Sequence, residues 1–219
     1  MPTIELLNPQ THGHLRLRAV TAATPHFVQI LAPEFSAAAA FCPILFTKDA
    51  TTGAFYAGAM FGFKAGENLL GPEAGFVPLM LQRDGFFVSD RHIAIDREHA
   101  RFSESEGEPM FDDAREPGAQ LRAIQRTLGE IHTGIEQTKA FIDALASLKL
   151  IEAIDISIGA GAGRVRLEGL FTVSLDRLRD LDDASALRLF RAGQLQLAYT
   201  MTASLKQIGR LARLRERTS

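Results

Sequence analysis

The sequence predicts an α+β fold: an antiparallel β-rich N-terminal half, a long amphipathic helix, a second β-hairpin region, and C-terminal helices packed on the sheet. Three observations predict it. Short apolar runs before residue 102 alternate with period two and are separated by Asp and Gly turns. From Leu121 the apolar spacing changes to three and four. Strand-like runs then return at Ile154–Ile158 and Arg164–Leu167, ahead of two further helical segments.

The elements follow in order. Leu15-Arg-Leu-Arg18 alternates apolar and basic residues, the pattern of a half-buried strand, and its charges suit a sheet edge. His26 to Phe41 reads as an extended piece followed by helical turns through the alanines. Pro43–Thr47 and Phe55–Phe63 flank a Lys48-to-Gly53 turn and form a hairpin. Phe76–Leu81 and Phe86–Val88 form a second strand pair around Arg83-Asp-Gly85, with Pro78 at an edge or bulge. His92-Ile-Ala-Ile-Asp96 alternates again. Leu121, Ile124, Leu128, Ile131, Ile135, Thr138, Ile142 and Leu145 mark one amphipathic helix, with Pro117 in its first turn. The same stripe has the spacing of a coiled-coil seam, so a dimeric scaffold is a competing use, although Phe141 and Leu148 widen it beyond strict seam positions. Gly159-Ala-Gly-Ala-Gly163 joins the later strand pair, and Leu170–Val173 continues it. Helices follow over Leu175–Leu181 and from Ala184 to about Leu214, interrupted at Gly193.

A chain of 219 residues removes about 70% of its unfolded surface from water on folding. One domain over 1–219 is expected, with sub-lobes 1–102, mostly β, and 103–219, mixed. The 46% hydrophobic and 23% charged composition is that of a soluble globular protein. A net charge of -2 implies no nucleic-acid partner. The lone Cys42 and an N-terminus without a basic start and apolar run predict a cytoplasmic location.

The chemistry-bearing candidates each meet a structural alternative. Ser103–Glu116 places six carboxylates in fourteen residues, with Arg115 the one base among them. Glu104, Glu106 and Glu108 alternate beside Gly107, but the calcium-loop register and its closing Glu are missing. Acids ahead of a helix are favoured by its N-terminal dipole, so a charged β-to-α passage is expected. The glycine run lacks the third dinucleotide-binding glycine, since Arg164 stands there. His12-Gly-His14 has no further ligand motif, and Cys42 reads as an inert buried thiol. No metal, cofactor or catalytic residue is assigned. The C-terminal Leu205–Arg217 segment carries five bases and one acid beside an apolar stripe of Leu205, Ile208, Leu211 and Leu214. It reads as a docked last helix, with contact to an anionic membrane surface as the alternative.

A series of segments carries a family resemblance: Cys42-Pro-Ile-Leu-Phe-Thr-Lys-Asp49, Thr52-Gly-Ala-Phe55, Gly66-Glu-Asn-Leu69, Glu106-Gly-Glu-Pro-Met-Phe-Asp112, and Leu167-Glu-Gly-Leu-Phe171. With Val77-Pro78, Leu148-Lys-Leu150 and the helix from Gly193 to Leu211, the series resembles the SapC family over nearly the whole chain. The sequence departs from that pattern at Gln82-Arg-Asp-Gly-Phe86 and in having no Trp. The resemblance implies a link to surface-layer gene clusters of Gram-negative bacteria and to outer-membrane receptor systems. It implies no reaction or cofactor. The resulting expectation is a non-enzymatic accessory protein with a protein partner in a surface-layer, secretion or outer-membrane-uptake system. Its binding surface is placed at the polar turns Lys48-Asp49 and Glu67-Asn68, where charge interrupts apolar strands. The competing expectation is an enzyme or small-molecule binder with a pocket between the sheet and the long helix.

Overall fold

The computed structural model describes residues 3–19, 25–71, 75–159 and 164–218. In chain order they form β1 (Ile4–Leu6), α1 (Pro9–His12), β2 (Arg16–Leu17), β3 (Phe27–Gln29), a 3-10 turn (Ala32–Glu34) leading into α2 (Phe35–Ala39), β4 (Ile44–Lys48), β5 (Phe55–Met60) and α3 (Leu79–Gln82). Next come β6 (Phe86–Ser89), β7 (His92–Asp96), β8 (Phe102–Ser103), β9 (Glu108–Pro109) and α4 (Ala119–Ser147). The chain ends with β10 (Ile151–Ala153), β11 (Ile156–Ile158), β12 (Val165–Leu167), β13 (Phe171–Val173), α5 (Leu175–Arg179), α6 (Asp183–Arg191), α7 (Gln194–Ser204) and α8 (Lys206–Thr218). Every strand pairing is antiparallel, so the fold is α+β as the sequence predicts. Contacts gather the chain into two compact units, one from Met1–Ala22 with Leu79–Thr133, the other from Ala23–Pro78 with Gly134–Ser219.

The first unit holds two three-stranded sheets, ordered β1-β7-β6 and β8-β2-β9. Its core gathers Leu15, Leu17, Phe86, Ile95, Met110 and Leu121, all buried. This unit corrects three expectations from the sequence. The strand at Leu15–Arg18 is central, because Arg16 pairs with Ser103 on one side and Pro109 on the other. Its arginines are satisfied by the strands' own connection: Arg16 Nε donates to the Gly107 carbonyl at 2.8 Å and Arg18 Nε to the Glu106 carboxylate at 3.0 Å. Phe76–Leu81 is not a strand. Leu79–Gln82 forms a helical turn after Pro78, and Arg83-Asp-Gly85 ends it, with Gly85 at φ +82 and Phe86 N–H bonded to the Arg83 carbonyl at 2.8 Å. The strand that follows pairs instead with β7 around Asp90-Arg91, where Asp90 takes φ 55. Pro117 lies ahead of α4, bridged to Phe111, rather than in its first turn.

The second unit is built on a five-stranded sheet ordered β10-β13-β4-β5-β3. The registers put Val28, Ile44, Phe46, Ala57 and Ala59 on one face. There Phe46 packs 6.0 Å from Phe141 of α4, and Phe35 packs 5.9 Å from the same ring. The opposite face, with Leu45 and Met60, is covered by Ile156, Leu170 and Leu211. The glycine-rich turn expected at 159–163 lies outside the described residues from 160 onward. Gly193, at φ +71, separates α6 from α7 as expected, and a second break at Leu205 separates α7 from α8. Gly58 is required by close approach: a Cβ there would meet the Phe27 ring at 2.1 Å.

One hydroxyl ends the sheet at β3. Ile30 N–H donates to the Ala57 carbonyl at 3.0 Å, which continues the ladder. The next backbone group in step, Ala32 N–H, donates instead to Thr138 Oγ1 at 2.8 Å, while that hydroxyl donates to the Gly134 carbonyl at 2.6 Å. Leu31 N–H is taken by the buried Glu34 carboxylate at 2.7 Å, so the chain turns into the 3-10 helix. Thr138→Val keeps the shape and leaves the buried Ala32 N–H unpaired, an expected cost of about 1–3 kcal/mol. A lowered urea midpoint with an unchanged slope is the expected readout, and an unshifted midpoint contradicts this role.

Candidate functional site

The two predicted binding turns are built differently. Asp49 Oδ1 accepts from Thr51 N–H at 3.1 Å, Thr52 N–H at 2.8 Å and Thr52 Oγ1 at 2.9 Å. Led by the Thr52 backbone bond, these donors hold its carboxyl below the usual carboxylate range. The Lys48 ammonium lies 4.9 Å from the Phe55 ring centroid and 5.5 Å from that of Phe171, a cation–π contact that orders an exposed side chain. Glu67 accepts from Phe63 N–H at 2.6 Å and pairs with Arg215 at 3.3 Å. Asn68 Oδ1 accepts from Leu70 N–H at 3.1 Å. The pairs are not brought together. Lys48 is opposite Phe55 and Ile44 opposite Ala59, so Lys48-Asp49 sits at one end of the β4–β5 hairpin and the Glu67-Asn68 segment follows from the other.

What gathers around the first of these ends is a sheet edge. Bonded pairs link β3 residues 26, 28 and 30 to β5 residues 61, 59 and 57, so the peptide groups of Phe27 and Gln29 turn away from the sheet. By the same alternation β5 faces β4 through Ala54, Tyr56 and Gly58, leaving the Phe55 peptide turned outward past the point where Ala32 departs. Among the described residues three recesses adjoin this edge, and Tyr56 lines each of them. One, of about 370 Å³, lies between the sheet edge and α4 and is lined by Leu31, Phe55, Ile135 and Ile142, with Lys139 and Asp143 at the rim. Lys139 and Asp143 are joined at 2.5 Å. The second, about 330 Å³, runs from Phe27 and Gln29 to Asp49. The third, about 340 Å³, lies between Phe27, Tyr56 and the Leu167-Glu168 segment. Ile135 is 45% exposed, whereas the other seven members of the α4 stripe named above are buried in the chain. Gln29, Tyr56 and Ile135 were not singled out by the sequence. The one signal in it is that Ile135 keeps the helix period.

The remaining candidates are accounted for locally. In the acidic segment Glu104 pairs with Arg97 at 3.0 Å and His14 at 3.6 Å, and Glu106 with Arg18. Asp112 Oδ1 accepts from Ala114 and Glu116 N–H, shaping the turn ahead of α4. His12 is buried in α1, accepting from Asn8 N–H at 3.0 Å through Nδ1 and meeting Glu5 at 3.2 Å through Nε2. His99 lies 3.3 Å from Asp84. Among the described residues no three His, Cys, Asp or Glu side chains are placed to hold a metal ion. The apolar stripe of α8 is turned into the core, with Leu211 fully buried, while Lys206, Arg210, Arg213 and Arg217 face outward. No helix among the described residues is long and apolar enough to cross a membrane.

A family model described as SapC matches residues 7–211. The chain belongs to the SapC family. That match takes in every residue of the sheet edge and its recesses. No curated protein and no solved structure matches this SapC-family chain.

Cys42, in the segment that helped to mark the family, is fully buried, its Sγ donating to the Ala38 carbonyl at 3.3 Å. Burial pushes the thiol up to about 12 from 9.0, partly offset by Arg210. The fold thus favours the neutral thiol. The stabilisation is fully present below pH 9 and is lost as the pH rises toward 12, because the unfolded chain ionises first. A disulfide reagent at pH 8 should therefore label Cys42 in urea-unfolded protein and leave the native thiol unlabelled on the same timescale. Equal rates would contradict the buried placement.

Proposed function

We propose that this chain is a soluble, cytoplasmic accessory protein that engages a protein partner belonging to a surface-layer, secretion or outer-membrane-uptake system. Family membership over residues 7–211 supports the system. The observation that carries the interaction reading is the outward-turned edge of β3 and β5, flanked by recesses lined by Phe27, Phe55, Tyr56 and Ile135. Unpaired strand edges are templates for another chain unless charge, bulges or covering elements block them. β3 is three residues long and carries no charged residue, and its exposed member is Gln29. Asp49 lines the recess at one end of this surface, while Lys48 lies over the Phe55 and Phe171 rings. Glu67, bound to Phe63 and Arg215, serves the fold of its own loop.

A second reading is favoured by the recess of about 370 Å³ between sheet and helix, which falls in the range of ~300–1,000 Å³ typical of small-molecule sites. In that reading the chain binds or transforms a compact apolar ligand beside Phe55 and Ile142. Affinity purification of the tagged chain from its own host, after in-cell crosslinking, separates the two. Recovery of one envelope-system protein in stoichiometric amount supports the accessory reading. Recovery of a bound small molecule in a one-to-one ratio, with no protein partner, replaces it by the second.

A further inference from the structure

The recesses and the sheet edge share one geometry. An added strand alternates its side chains to the two faces of a sheet. Beside β3, the recess on the α4 side, walled by Leu31, Ile135 and Ile142, lies on one face. The recess against Leu167 and Glu168 lies on the other, where Phe27 and Tyr56 meet edge to face at 6.3 Å. Between them, on β3 itself, the peptide groups of Phe27 and Gln29 point outward and carry no hydrogen bond among the described residues.

We propose that this edge takes up an extended segment of a partner protein as a sixth strand beside β3. Alternate apolar side chains of the segment enter the recesses on the two faces, and a Lys or Arg of the segment reaches Asp49. Main-chain bonds supply affinity in this mode, and side-chain recesses supply selectivity. The cation follows from Asp49: its Oδ1 is occupied by the Thr51-Thr52 turn, while its exposed Oδ2 has no partner among the described residues. The Lys139–Asp143 pair at the opposite rim is already neutral as a unit.

Two other occupants fit less well. A second copy paired edge to edge would set Phe27 against Gln29 about Val28, but those residues are walls of the recesses and bring nothing to fill them. A compact ligand fits one recess, whereas three recesses sharing Tyr56 along one strand edge describe an extended occupant.

The inference rests on the interaction reading above but is tested apart from any cellular system. The purified chain is panned against a phage-displayed library of random dodecapeptides, and a selected peptide is measured by fluorescence anisotropy. The expected peptides alternate apolar residues and carry a Lys or Arg toward one end. N-methylation of their backbone at one parity should abolish binding, while the other parity tolerates it, because only one edge of the added strand faces β3. Gln29→Pro removes an outward N–H and no ladder bond, and is expected to weaken binding about tenfold or more. Ile135→Glu, at an exposed helix position, is expected to weaken it to a similar extent and stands in if the proline variant misfolds by circular dichroism. Asp49→Asn should flatten the salt dependence. Failure to enrich any peptide family, equal tolerance of both methylation parities, or unchanged binding by Ile135→Glu overturns the proposal. So does a dimer by light scattering that Gln29→Pro dissociates, which would give the edge to a second copy. Peptide capture at this edge together with no envelope partner in the host purification would sink the accessory reading alone.

Discussion

The hydroxyl of Thr138 decides where the five-stranded sheet stops. A buried peptide N–H must find an acceptor, and Ala32 finds Thr138 Oγ1 instead of the β5 backbone. Glu34 completes the exit by accepting from Leu31 N–H, so the chain leaves the ladder as a 3-10 turn. The helix comes close enough to offer that hydroxyl because residue 134 is glycine: a Cβ there would meet Leu31 Cδ1 at 2.9 Å. Phe55, paired with Lys48 of β4 on one side, is then left with no strand on its β3 side, and the space between it and Ile135 becomes the α4-side recess. Satisfaction of one backbone group thus opens a groove.

The first unit obeys the same requirement with charge. Its β2 is central, and Arg16 within it and Arg18 just after it keep their guanidinium groups at the surface, where they are bonded as well as solvated. The chain between β8 and β9 offers them the Gly107 carbonyl and the Glu106 carboxylate, while Glu104 is held by Arg97 and His14. Two of the six carboxylates of the acidic run, Glu104 and Glu106, are therefore counterparts to nearby bases, and Asp112 caps the turn that follows. Exposed pairs of this kind stabilise little individually, of order 0–1 kcal/mol, so their effect lies more in shaping the connection than in strengthening the fold. The helix that follows contributes Leu121, Ile124 and Leu128 to this unit's core, while its later residues Phe141 and Leu145 are buried in the second unit.

Several elements were legible because their signals are local. The α4 stripe, the β4–β5 hairpin and the break at Gly193 follow from side-chain periodicity and from glycine's access to positive φ. The buried thiol of Cys42 was legible from its apolar neighbours. The Arg83-Asp-Gly85 turn was misread because Asp-Gly ends a helical turn as readily as it closes a hairpin, and the choice depended on whether Phe86 pairs backward or with His92–Asp96. The edge assignment of Leu15–Arg18 failed for a related reason. Alternating charge shows that one face is polar but does not show how many strands lie beside it.

The candidate site divides along the same line. By itself the sequence determined the α+β class, the antiparallel hairpins, the long helix and the family, and it marked Lys48-Asp49 as a polar interruption at a strand end. Each of these depends on residues close together in the chain or on a serial pattern. Only the tertiary structure decided that β3 is the outer strand, that Phe27 and Gln29 turn their peptide groups outward, and that Tyr56 joins three recesses, one of which reaches Asp49. It also separated Glu67 and Asn68 from that surface by the length of a hairpin. The physical reason is that an edge is defined by the missing neighbour. Which strand lacks one is settled by pairings and hydroxyl contacts between residues such as Ala32 and Thr138, far apart in sequence.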